Sequence, residues 1–181
     1  MKNKILFFLL LGVTFFYGCA KTVSIATLDK EVSYNKFENQ KLLSKAAIYL
    51  PDDFMKKMPD SFGNNPEIWP WFFKKSIEPI FEKVIVIKNL DEVRSLPDVA
   101  VIIKPELWGF YWEFNPSDQG YQCWLDFKFR LSDKNGNVLT TVTAEGKGIN
   151  SDITSALVWC VNEVIEKFQK SVISSEKVLC K

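Results

Sequence analysis

The stretch Leu107-Trp108-Gly109-Phe110-Tyr111-Trp112-Glu113-Phe114, followed by Asn115-Pro116-Ser117-Asp118-Gln119-Gly120 and then Tyr121-Gln122-Cys123-Trp124-Leu125-Asp126-Phe127-Lys128-Phe129-Arg130-Leu131, decides the fold. Two aromatic-rich runs flank a cluster of turn formers, the composition of a β-hairpin. Period-two alternation puts Cys123, Leu125, Phe127, Phe129 and Leu131 on one side of the second run. Gln122, Trp124, Asp126, Lys128 and Arg130 fall on the other. A simple hairpin sets Phe114 against Tyr121, Trp112 against Cys123 and Phe110 against Leu125, all facing inward. Tyr111 then stands opposite Trp124 on the outer face. A second turn, Asp133-Lys134-Asn135-Gly136, leads towards Val138 and extends the hairpin into an antiparallel meander.

Outward from the meander, Ser151 reads as an N-cap with Asp152 in the first turn of a closing helix. Ile153, Leu157, Cys160, Val161, Val164, Ile165, Phe168 and Val172 mark its apolar stripe, from about 152 to 172. Upstream, Lys45 to Leu50 is an apolar run that stops at Pro51, a first strand. A helix is expected to start at Pro66 or Pro70, with the stripe Trp69, Phe73, Ile77, Ile80 and Val84, and Pro79 should kink or end it. Ile85 to Ile87 reads as a short strand, Asp91 to Leu96 as a helical turn and Val99 to Ile103 as another strand. This order predicts an α+β two-layer sandwich: a mixed sheet with a C-terminal antiparallel meander, covered by two main helices.

The beginning of the chain carries a different message. Lys2 and Lys4 precede an apolar run from Ile5 to Phe16, which is shorter than the ~20 residues a spanning helix needs. Gly18-Cys19 ends it. This leader resembles the bacterial lipobox, matching it at Gly18 and Cys19 and departing from it at Phe16 and Tyr17. The resemblance implies a signal peptide over residues 1–18, with Cys19 lipidated as the mature amino terminus and acting as an anchor. Residues 19–44 are polar and poorly periodic, and read as the lipidated cysteine plus a tether. As a flexible coil of about 25 residues such a tether spans roughly 28 Å. Residues 45–181 form the single expected domain.

Removing the leader changes 23 basic against 22 acidic residues to 21 against 22. A nearly neutral chain without a basic cluster argues against nucleic acid as a partner. The sequence has no histidine, which removes the commonest general base and leaves only thiolates and carboxylates for a metal. Cys123, Cys160 and Cys180 show no metal spacing, so no metal and no cofactor is expected. Cys123 and Cys160 both fall on inward faces as buried thiols, and a disulfide between them requires strand and helix to align.

Catalytic constellations are sparse. Asp52-Asp53 reads as the acidic start of a helical turn. Asp126 and Glu145 share a face in the manner of a glycosidase pair, although surface strand residues of this kind are far commoner. Gly146-Lys147-Gly148 lacks P-loop spacing. The chain is therefore expected not to be an enzyme.

Tyr111 and Trp124 are the candidate partner-binding residues, because aromatics of this kind dominate binding hot spots. Structural cross-strand packing is the competing account of the pair. Replacing both by alanine is expected to abolish partner capture with little change in thermal midpoint. A groove lined by several of Trp69, Trp108, Trp112 and Trp124 would instead mark a binding module for an apolar or glycan ligand.

The element order, the helix stripe ending near Phe81, and the turn Leu131-Ser132-Asp133-Lys134-Asn135-Gly136 before the last strand and helix resemble small α+β envelope lipoproteins of the TolB N-terminal-like and LptE-like type. The resemblance implies a lipid-anchored interaction or assembly accessory, bound to the membrane by its lipid and to an envelope protein by its surface. Ala20 after Cys19 implies, by the same resemblance, sorting to the outer membrane with the domain facing the periplasm.

Overall fold

The computed structural model describes residues 24–33, 42–58 and 68–175. The leader, Cys19 and Cys180 lie outside the described residues. Within them run α1 (Ile25–Glu31), β1 (Leu42–Tyr49), α2 (Asp52–Lys57), α3 (Ile68–Ile77), β2 (Phe81–Ile87), a 3-10 helix (Leu90–Ser95), β3 (Val99–Asn115), β4 (Gly120–Ser132), β5 (Val138–Asn150) and α4 (Ile153–Ile173). The strands form one five-stranded sheet in the order β2-β1-β3-β4-β5. β1 pairs parallel to β2 and β3, while β3-β4-β5 is antiparallel. The predicted α+β architecture with a mixed sheet and C-terminal meander is the one observed.

The two crossovers explain how the layers are filled. The chain leaves β1 on one side to reach β2, then returns past β1 to reach β3. Connections of one hand travelling in opposite directions must lie on opposite faces. The first crossover carries α2 and α3 into the main core with α4. The second carries the 3-10 helix, whose Val93 packs with Ala47, Ile87, Val99 and Ile102 on the reverse face. Asn89 and Glu92 form a capping box at the start of this short helix.

The main core is aromatic. Trp69, Phe72 and Phe73 of α3 meet Phe127 of β4 at ring separations of 5.4–5.9 Å, and Phe129 meets Phe168 of α4 at 4.3 Å. Polar links also tie the helical segments together. Gln169 donates to the Ser76 carbonyl over 2.8 Å, and Ser33 donates its amide to Asn162 over 2.6 Å.

Five sequence expectations are corrected. Residues 25–31, expected within a tether, form α1, and Leu28 and Val32 are buried in the main core. Their spacing of four is a helical stripe too short to stand out in a polar segment. The first strand begins at Leu42, before the domain start expected at residue 45. The α3 helix ends at Ile77, so Ile80 and Val84 belong to the turn and to β2. Pro79 disfavours helix at the residue before it, and the β-branched Val84 to Ile87 favours strand. Residues 99–115 form one strand, running through Pro105. Pairing with β1 stops at Ile103, so Pro105 sits where β3 has a free side and the missing amide is tolerated. At α4 the N-cap is Asp152 rather than Ser151, accepting from the Ser155 amide at 3.0 Å.

Candidate functional site

The outer face of β3-β4-β5 lies beyond the small core formed by the 3-10 helix. The β3-β4 register is the one the alternation predicts: Phe114 faces Tyr121, Trp112 faces Cys123, Phe110 faces Leu125 and Tyr111 faces Trp124. Trp124 is next to Lys147 on β5, and Asp126 is next to Glu145. Tyr111 is 41% exposed and Trp124 is half-buried.

Trp124 is held at two points. Its indole N–H donates to Glu145 Oε1 at 2.8 Å. Its ring lies over the β3 backbone at Gly109, where an added Cβ would stand 2.6 Å from ring carbons. Glu145 in turn bonds Lys147 at 2.9 Å. The hydrogen bond from Lys147, then that from Trp124, holds the Glu145 carboxyl below the ordinary glutamate range. A general acid needs the opposite displacement. Glu145 thus lacks the raised pKa of a general acid.

Trp108 belongs to the same face, a placement the alternation rule does not give. The register slips between Leu107 and Gly109, leaving Trp108 as the extra residue of a bulge. Its ring is 60% exposed, and the Lys128 ammonium lies 4.6 Å from the ring centroid. The sequence does carry a signal for this: glycine within a strand run, as at Gly109, marks a bulge or a close approach. Around the aromatics the charges are paired. Glu106 lies 3.8 Å from both Lys104 and Arg130.

Two backbone groups on the free edge of β5 are taken by side chains of α4. Glu163 accepts from the Lys147 amide at 2.8 Å, and Lys167 donates to the Glu145 carbonyl at 2.7 Å. These side chains use the backbone groups that a strand-adding partner would need.

Trp69, Trp108, Trp112 and Trp124 do not share a groove. Trp69 is buried in the main core, Trp112 pairs with Cys123 on the inner side, and only Trp108 and Trp124 reach the outer face. A cleft of about 620 Å³ lies between the 3-10 helix and the β4-β5 turn, lined in part by Arg94, Ile102 and Lys134. Another of about 300 Å³ lies between α2 and β3, lined in part by Phe54, Met58 and Leu107. Tryptophan lines neither. Among the described residues there is no cluster of metal-ligating side chains, and no helix is long and apolar enough to cross a membrane.

No protein-family model and no curated protein matches the chain. Solved structures do. PelC from Paraburkholderia phytofirmans, determined as a dodecamer, aligns with a TM-score of 0.50 at 15% identity, over 71% of this chain and 91% of that one. Two bacterial lipoproteins align more loosely, each with a TM-score of 0.41. GNA1162 from Neisseria meningitidis is 11% identical over 64% of this chain and 90% of its own. A minor lipoprotein from Acinetobacter baumannii is 10% identical over 72% and 93%. The chain has the fold of PelC, and bacterial lipoproteins are among its structural neighbours.

Proposed function

We propose that the protein is a lipid-anchored accessory of the bacterial envelope, held through Cys19, that docks a partner protein on the outer face of β3-β4-β5. The observation that carries this reading is the grouping of Trp108, Tyr111 and Trp124 on a sheet face that no helix among the described residues covers. Rigid aromatics ringed by polar residues are the composition of an interface centre and its rim. The resemblance to the lipobox at Gly18 and Cys19 supports the anchor. The dodecamer of PelC makes a further copy of the chain one partner to test.

Four residues lie between Cys19 and Ser24, the cap of α1, and the five steps from one to the other reach about 17 Å when fully extended. The domain is thereby confined near the bilayer, where membrane proteins are present at high effective concentration.

A photoreactive residue placed at Thr143, on the same face, tests the docking in cells, with the same residue at Glu166 of α4 as a control. Adducts are expected from Thr143, to be lost in the Trp108→Ala/Tyr111→Ala variant with its thermal midpoint within about 2 °C of wild type, since exposed side chains contribute little to folding. Trp124 is left in place because its bond to Glu145 also holds the sheet. Adducts that persist in the double variant, or arise equally from Glu166, sink the docking face. A fatty-acid label taken up equally by wild type and Cys19→Ser sinks the anchor.

A further inference from the structure

Two glycines bring α4 unusually close to the meander. Gly146 and Gly148 lie on the inner side of β5, and a Cβ on either would run into the helix backbone, at the carbonyl of Cys160 and of Ala156 respectively. Gly148 is the cross-strand neighbour of Cys123. A Cβ on Gly148 would stand 3.0 Å from the Cys160 amide nitrogen. Cys123 thus sits one strand away from the place where the Cys160 backbone touches the sheet, with its side chain on that same face. The Cys160 thiol lies 3.1 Å from the Gly146 carbonyl oxygen. Both cysteines are buried, and both carry free thiols in this structure.

We infer that Cys123 and Cys160 form an intramolecular disulfide that staples β4 to α4. Formation removes a proton and an electron from each thiol. A disulfide oxidant, either a small-molecule disulfide or a protein one, first forms a mixed disulfide with one cysteine. The second cysteine, as thiolate, displaces the oxidant's remaining thiol, so that the oxidant ends as two thiols. The availability of such an oxidant rests on the envelope reading above; the pairing of the two sulfurs rests on the geometry alone.

The environment also sets the timing. The neighbouring Cys123 thiol, and then burial, push the Cys160 thiol far above the ordinary thiol range. Thiolate is the attacking species, so the folded, reduced protein exchanges slowly. Oxidation belongs to the stage of folding before α4 closes over Gly146 and Gly148.

The full chain carrying Cys19→Ser and Cys180→Ser, which leaves only this pair, provides the test. It is refolded in a mixture of oxidised and reduced glutathione, quenched with acid, denatured without reductant and treated with a polymer-tagged maleimide. The expected product is a monomer lighter by two hydrogens that takes up no tag until reduced, with a thermal midpoint about 10 °C above the reduced form for a loop of this length. Adding the oxidant after folding is expected to slow oxidation at least tenfold. Free reaction of both thiols with the tag, a stable glutathione adduct or a disulfide-linked dimer would each overturn the staple. Acid-trapping the protein in cells separates the two readings. A paired chain in the refolding mixture that is reduced in cells counts against the envelope location, not against the pairing.

Discussion

The two faces of β4 are built from alternating residues of one strand, yet they are held by different physics. Cys123, Leu125, Phe127, Phe129 and Leu131 are all 3% exposed or less and face helices. Their neighbours Trp124, Asp126, Lys128 and Arg130 face the open side, where cross-strand polar and cation–π pairs replace burial. The parallel part of the sheet has no such contrast, because the 3-10 helix covers its reverse face. Parallel pairs need cover on both sides, whereas an antiparallel meander can leave one side to solvent. The candidate site occupies the antiparallel part for that reason.

Adjacent residues give the sharpest way to break this comparison. Phe127 touches Trp69, Phe72, Phe73 and Phe129, and truncating it leaves a cavity among rigid rings. Phe127→Ala is expected to cost about 3–5 kcal/mol in denaturant unfolding. Lys128→Ala, one residue on, removes one cation–π contact at a solvent-facing site and is expected to cost at most about 0.5–1 kcal/mol. Similar losses for the two would mean that the outer face is covered as the inner one is.

A smaller effect is expected at the seam between sheet and helix. In Gly148→Ala the new methyl meets the Ala156 carbonyl, part of a helix backbone that cannot rotate away. α4 must shift outward, at a cost of about 1–3 kcal/mol. An unchanged midpoint would show that the contact between α4 and β5 is loose, and would weaken the geometric basis for pairing Cys123 with Cys160.

These residues also show how far the sequence can be read. The face assignment of every β4 residue follows from alternation, and with it the cross-strand pairing of Tyr111 with Trp124, because burial on one side fixes register. The α4 stripe is equally plain. Trp108 escapes the rule because a bulge breaks the period of two just where it would have placed the ring. The α1 helix escapes because Leu28 and Val32 are too few to declare a stripe. The overlong α3 arises from Ile80 and Val84, which fit a helical spacing by coincidence after Pro79. The role of Gly146 and Gly148 depends on where α4 lands, a tertiary fact that the local pattern does not contain.

The weakest expected effect probes the outer face directly. Glu145 is held ionised by Lys147 and by the Trp124 indole, with Lys167 adding attraction, while Asp126 is its cross-strand neighbour. A carboxyl whose folded pKa lies below its unfolded value stabilises the fold above the unfolded value and loses that contribution as pH falls through the folded one. Glu145→Gln keeps an acceptor for the indole and removes the charge. The wild type should therefore be slightly more stable than this variant at neutral pH. The gap should close as pH drops below the ordinary glutamate value of 4.5. Because the site is open to solvent, added salt should shrink the gap as well. Midpoints measured against pH read the gap, and the Trp124 indole resonance should move over the same range in wild type alone. A gap that stays constant from neutral pH to pH about 3 would mean that the charge on Glu145 contributes nothing to the outer face, and that the Trp124 bond is held by shape alone.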